Sequence, residues 1–235
     1  MPMILEGIVT TVNADGRPHA APMGPETDEQ VSYLVLKPYE DSTTLSNLRR
    51  NGRGVFHVTD DVELLAQAAV GQLQLHVRGH ATSATDAPTN KLPGCYAQPA
   101  PEQAGYFLEN CCRWFAFHVV AIDATQPRAR LQCVIDARGS EREFFGFNRA
   151  KHAVVEAAIL ATRVHLIPCE EMRREFDRLR VIVAKTGGDC ERRAFEFLER
   201  HIRQVSMNIP WEAATKPPAG QRHDPALPAA APRAE

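Results

Sequence analysis

The chain has 235 residues, 27 Lys and Arg against 29 Asp and Glu, a formal net charge of −2 and 44% hydrophobic residues. That suits one large domain, or a domain with a small helical addition, and the balanced charge argues against a nucleic-acid partner. No apolar run reaches the length of a membrane span and MPMILEGIV lacks a signal-peptide layout, so a cytoplasmic protein without a membrane partner is expected.

A β-rich strand is predicted over 4–12, followed by the turn signal Asn13-Ala14-Asp15-Gly16 and a returning strand over 19–23. Pro22 has no N–H to give a ladder, which confines that strand to an edge or its end. A third strand is expected over 31–37. A short helix over 42–50 carries Leu45 and Leu48 inward, and Asn51-Gly52-Arg53-Gly54 ends it before a fourth strand over 55–59. Asp60 and Asp61 can cap a second helix over 62–70, with Leu64, Leu65 and Ala68 inward. A long strand is expected over 73–84.

From 85 to 109 the pattern dissolves among Pro88, Pro93, Pro99 and Pro101, which reads as a long excursion. A strand over 113–125 is apolar on both faces, as in a closed barrel packed on something outside, and a shorter one is expected over 130–135. Three amphipathic helices follow over 148–163, 169–184 and 190–205. The proline- and alanine-rich remainder is expected to be disordered. Strands first and helices last indicate an α+β fold.

The chemistry-bearing stretch is Asp41-Ser42-Thr43-Thr44. A helix start leaves backbone N–H groups free, and with the hydroxyls and nearby Lys37 these would suit a phosphate. Equally, Ser42 is an ordinary N-cap. The six cysteines, Cys95, Cys111, Cys112, Cys133, Cys169 and Cys190, form no C-x-x-C pair and are read as reduced. His76 and His80 share a strand face but lack a third ligand, so no metal site is assigned.

Gly7-Ile8-Val9-Thr10-Thr11-Val12 with Asp15-Gly16-Arg17-Pro18, Ala20-Ala21-Pro22-Met23-Gly24-Pro25, Thr43-Thr44 with Asn47-Leu48, and Val58-Thr59-Asp60-Asp61 resemble the flavin reductase-like FMN-binding split-barrel superfamily. More narrowly, Cys112-Arg113-Trp114-Phe115-Ala116-Phe117 and Phe147-Asn148-Arg149-Ala150-Lys151-His152-Ala153 resemble an uncharacterised archaeal and bacterial family, domain of unknown function 447. The likeness covers most of 3–206. It implies a mostly antiparallel FMN-binding split β-barrel over 1–138, a C-terminal helical unit over 139–207 and a tail over 208–235.

The resemblance also implies a homodimer with FMN at its interface. Ser42, Thr43 and Thr44 would hold the phosphate, with Lys37 as the charge and Asn47 in support. His19, Ala20, Ala21 and Pro22 would run beside the isoalloxazine, and His57 to Thr59 beside the ribityl or ring. Arg113, Asn148, Lys151 and His152 are substrate candidates. Their bland alternatives are a salt bridge for Arg113 and a capped, solvated helix face for the others. In such proteins the cofactor does the redox chemistry, so no catalytic residue is assigned. The implied activity is an oxidoreductase acting on a flavin, nicotinamide or pterin-like small molecule, with a link to tetrahydromethanopterin-dependent one-carbon metabolism. The alternative is a non-enzymatic flavin- or pterin-binding module, or a dimeric scaffold, on the same fold.

Overall fold

The computed structural model describes residues 2–77, 95–100, 104–126 and 128–208. Its elements in chain order are β1 (Met3–Ile4), β2 (Gly7–Val12), β3 (Pro18–Met23), β4 (Glu26–Thr27), β5 (Tyr33–Leu36), α1 (Thr43–Asn51), β6 (Arg53–Val58), α2 (Val62–Ala69), β7 (Leu75–Val77), β8 (Cys95–Pro99), β9 (Tyr106–Leu108), β10 (Arg113–Asp123), β11 (Arg130–Ser140), α3 (Arg149–Ala161), α4 (Cys169–Thr186) and α5 (Asp189–Asn208). Eight strands form one antiparallel sheet in the order β1-β4-β5-β11-β10-β6-β2-β3, and β7-β8-β9 form a second, smaller sheet. Pro22 therefore sits on an edge strand, where its missing N–H costs no ladder bond.

The long β10–β11 pair shifts register at Ala116/Phe117 and again at Val119/Ala121. Such bulges bend a strand and increase its twist, and the large sheet is curled. Inside the curl lie Val9, Leu34, Leu36, Phe56, Phe115, Phe117 and Leu131, closed by Leu45 and Leu48 of α1. On the other face, Ile8, Val55, Trp114 and Ala116 pack against Leu64, Leu65 and Ala68 of α2 and Leu108 of β9. β10 is thus buried on both faces as far as Phe117, and exposed from Val120 onward. Gly7 permits the close approach of β2 to β6, since a Cβ there would lie 2.2 Å from the His57 carbonyl oxygen.

The helices build a third cluster. Ala150, Ala153, Ala157 and Ala161 of α3 present a small-residue face to Met172, Phe176 and Val183 of α4 and to Ala194, Phe195 and Leu198 of α5. Val62 and Ala66 of α2 belong to this cluster too. Only two residues away, Leu64 and Ala68 belong to the barrel cluster. One short helix therefore joins both cores, and among its eight residues only Ala69 is not buried.

Several expectations are revised. The excursion over 85–109 contains two strands, β8 and β9. Both are short, β8 ends at Pro99 and pairs with β7 in parallel, so neither shows a long alternating pattern. β11 continues to Ser140 rather than stopping at 135, because its inward positions there are small: a Cβ on Gly139 would lie 2.5 Å from the Trp114 ring. Of the strand expected over 73–84 the described part is β7. The remainder with His80, the prolines at 88, 93 and 101, and the tail from 209 lie outside the described residues. Among the described residues, no helix is long and apolar enough to cross a membrane.

Candidate functional site

The bend between β5 and α1 is built by its own side chains. Ser42 Oγ accepts the Leu45 N–H at 3.2 Å and donates to the Tyr39 carbonyl at 2.7 Å, closing the turn and capping α1. The backbone N–H groups of Thr43 and Thr44 have no acceptor among the described residues, and the first turn carries no acidic side chain. Thr43 is exposed. Thr44 is buried, with its hydroxyl 3.4 Å from His19 Nε2. The chain thus brings the start of α1, with Ser42, Thr43 and Thr44, against His19 of β3.

His19, Ala20, Ala21 and Pro22 are half-buried along the edge strand. Burial holds the His19 pKa below its ordinary value, so the ring is neutral at neutral pH. Asn47 lies one turn further along α1 with its amide fully engaged. Its Nδ2 donates to Thr11 Oγ1 at 3.0 Å and Asn13 Oδ1 at 2.9 Å, and its Oδ1 accepts from Arg50 at 2.8 Å. Its side chain ties α1 to the β2–β3 hairpin.

Lys37 points its ammonium at Glu26, which Arg130 also approaches at 3.7 Å. The hydrogen bond from Lys37 holds the Glu26 carboxyl below its usual range, so the lysine's charge is matched locally. The cation in the bend is Arg128, missed by the sequence reading. Its guanidinium stacks over the exposed Tyr39 ring, 4.2 Å from the centroid, and has no ion pair among the described residues. The nearby Ala129 N–H to Pro38 carbonyl bond, 3.1 Å, pins that segment to the bend. Nothing in the local sequence announces this pairing, because 89 positions separate the partners along the chain.

The remaining candidates lie elsewhere. His57 is fully buried on β6, its Nδ1 3.0 Å from the Ile8 carbonyl and its Nε2 accepting the Leu108 N–H at 3.1 Å. Those partners fix the neutral tautomer with the proton on Nδ1, and desolvation depresses the pKa to about 4. Neither ring nitrogen is left for a ligand, so only the backbone of His57 is free to run beside a ribityl or ring. Thr59 Oγ1 faces the Asn110 carbonyl and the Asp61 N–H.

Arg113 is exposed and stacks over Phe115, 4.9 Å from its centroid. Asn148 caps α3 through the N–H groups of Ala150 and Lys151, and bonds the Thr186 carbonyl. Lys151 donates to the Asp60 carbonyl at 2.7 Å and pairs with Glu191 at 3.3 Å. His152 lies against Phe147. Asp60 itself accepts from Arg142 and from the Phe145 N–H at 3.0 Å. Burial pushes the Asp60 pKa up, but these donors overcome it and the carboxyl sits below its ordinary value. Asn148 and Lys151 thus brace the junction between barrel and helices, away from the bend.

Among the described residues no group of three or more metal-ligating side chains occurs. Cys111, Cys112 and Cys133 are free and buried, and desolvation raises the Cys111 and Cys133 thiols to about 12, which leaves them protonated and unreactive. Among the described residues, a cavity of about 800 Å3 opens between α2 and α5, and another of about 370 Å3 opens beneath the segment joining α3 to α4.

The family model described as the N-terminal domain of a protein of unknown function (DUF447) matches residues 5–142, and the model described as protein of unknown function (DUF447) matches residues 148–200. Among solved structures, an FMN-bound DUF447 protein from Methanosarcina mazei superposes with a TM-score of 0.66 at 20% identity, covering 84% of this chain and 94% of that one. The styrene monooxygenase flavin reductase of Pseudomonas putida S12 gives a TM-score of 0.42 at 10% identity, over 59% of this chain and 82% of that one. An FMN-binding protein from Thermus thermophilus gives 0.42 at 11%, over 60% and 72%. No curated protein matches the chain. The Methanosarcina likeness shows a shared architecture: the α+β split barrel with added helices expected from the sequence is the fold the chain adopts.

Proposed function

Because the chain belongs to the DUF447 family of proteins of unknown function, whose Methanosarcina member is FMN-bound, we propose that it is an FMN-binding flavoprotein of flavin reductase-like type, holding its cofactor where two copies meet. The observation that carries this reading is the start of α1: two backbone donors without acceptors, an exposed Thr43 hydroxyl and no acidic side chain in the first turn. A dianionic phosphate matches those donors and the positive end of the helix dipole. Thr43 and Thr44 hold it, Ser42 shapes the turn, and Arg128 supplies the cation in the place first given to Lys37.

His19 to Pro22 lie along the isoalloxazine, offering it the backbone groups an edge strand leaves unpaired. When bound, the flavin supplies hydride or electron transfer. The chain's residues bind it, orient it and keep His19 neutral beside it. The redox partner is a small flavin, nicotinamide or pterin-like molecule, and a cytoplasmic setting in tetrahydromethanopterin-linked one-carbon metabolism suits it. Residues 1–138 form the flavin-binding unit and 139–207 the helical unit that braces it.

The test is Thr43→Glu. A carboxylate at a helix start favours the fold but occupies the phosphate's place. Quenching of FMN fluorescence should titrate to one flavin per chain in the wild type and weaken by at least about tenfold (roughly 1.4 kcal/mol) in the variant. No quenching, or equal quenching in both proteins, refutes the assignment. Light scattering should give a dimer. Bound flavin that neither NADH nor NADPH reduces would move the reading from oxidoreductase to binding module.

A further inference from the structure

Two guanidiniums converge at one end of the curled sheet. Arg113 opens β10, two residues before Phe115, and Arg138 of β11 stands directly opposite Phe115, so the three side chains share the inner face. Both guanidiniums lie over the Phe115 ring, 4.9 Å and 5.7 Å from its centroid, and both arginines are exposed while the ring is fully buried. Among the described residues neither has an ion pair, whereas the other arginines of the sheet, Arg53 and Arg130, reach Asp136 at 3.1 Å and Glu26 at 3.7 Å. Arg138 donates instead to the Gln30 carbonyl at 3.3 Å. Asp28, whose carboxyl feels the charge of Arg138, is engaged by the hydroxyl of Ser32 and by its N–H at 2.7 Å. Like charges on neighbouring strand positions repel, and here no side chain of the described residues offsets that repulsion.

The pair also ends an apolar rim. Arg113 stands opposite Val58 of β6, and in the same row Gly7 of β2 stands opposite Met23 of β3. Val58, Met23 and Leu5 are partly buried against the inner cluster. The rim therefore leads from the end of β3 to the two guanidiniums. The bend before α1 meets β3 at its other end, at His19.

We propose that Arg113 and Arg138 form a subsite for the phosphate group of a small ligand other than the flavin. Two planar forks can each give paired hydrogen bonds to one tetrahedral dianion, which cancels their mutual repulsion. The Phe115 ring beneath attracts both cations, so less side-chain freedom is lost on binding. The rim of Val58, Met23 and Leu5 carries the ligand's apolar body toward β3. The subsite stands on the arginine pair alone; that its ligand is the redox partner of a flavin lying along β3 rests on the flavin reading.

The experiment labels the full chain with phenylglyoxal, which modifies guanidiniums, and locates the adducts by peptide mass spectrometry. Samples with and without FMN are each treated with and without pyrophosphate at about 5 mM, ionic strength being matched with sodium chloride. Pyrophosphate should slow labelling of Arg113 and Arg138 at least about fivefold in both samples. It should leave unchanged Arg203, which is exposed on α5 and has no ion pair among the described residues. Arg138→Ala should weaken the protection of Arg113 about tenfold or more. FMN alone should protect Arg128 and not the pair. No protection by pyrophosphate, equal protection of Arg203, or undiminished protection of Arg113 in Arg138→Ala overturns the subsite. Protection of the pair by FMN alone overturns it as well, because the arginines would then hold the flavin. Failure of FMN to protect Arg128 counts against the place given to the flavin phosphate, and pyrophosphate protection of Arg113 and Arg138 would still support the subsite.

Discussion

Leu108 donates its backbone N–H to Nε2 of His57 across 3.1 Å, tying β9 to β6 through an imidazole that no water reaches. Burial strips the ring of solvent, and a proton on Nε2 would also set two donors face to face. Desolvation holds the folded chain's ring neutral until about pH 4, whereas the unfolded chain accepts the proton near 6.5. Between those values the unfolded state binds more protons, so stability falls as pH falls. The cost is absent above the unfolded value, accumulates on acidification and is complete below the folded one. The span corresponds to about 3 kcal/mol. Urea midpoints taken at about pH 7 and about pH 4.5 should show this loss, and His57→Gln should flatten that part of the profile while lowering stability at neutral pH.

Asn47 holds three side-chain bonds from a buried position. Asn47→Ala leaves Thr11 and Asn13 without their donor, at a cost of about 2 kcal/mol. The lowered midpoint should appear in urea denaturation. Flavin affinity, corrected for the folded fraction, should change less than it does in Thr43→Glu.

Lys37 and Arg128 separate two kinds of cation. Lys37 is neutralised by Glu26, whereas among the described residues Arg128 has the Tyr39 ring and no ion pair. Arg128→Ala should weaken FMN binding about five- to tenfold, or roughly 1–1.4 kcal/mol, and should reduce its salt dependence. Lys37→Ala should shift affinity less than about twofold, as expected for an already paired surface charge. Fluorescence titration at two salt concentrations checks both.

Asp60 gathers Arg142, the Phe145 N–H and, through its carbonyl, Lys151. Asp60→Asn keeps its shape but removes the charge that pairs with Arg142, a loss of about 2–3 kcal/mol for a partly buried pair. Hydrogen exchange should show the Phe145 amide losing protection before the amides of β10 do.

The parts legible in the sequence were those set by local chemistry. Ser42 before Leu45 and Leu48 marked a capped helix, and Pro22 marked an edge strand, because each signal sits within a few residues of its consequence. The parts missed depend on contacts between distant positions. Lys37 reads as free until the pairing of Glu26 with Val35 brings the carboxylate beside it. Arg128 reads as a loop residue until its bridge to Tyr39 forms.

That two-sided burial of α2 bears on ancestry. A rearrangement that delivered the strands without the later helices would leave Val62 and Ala66 wetted, and one that delivered the helices alone would lack the piece they close around. The two segments are expected to descend together, so an ancestral barrel without the bundle would have needed different residues at those two positions.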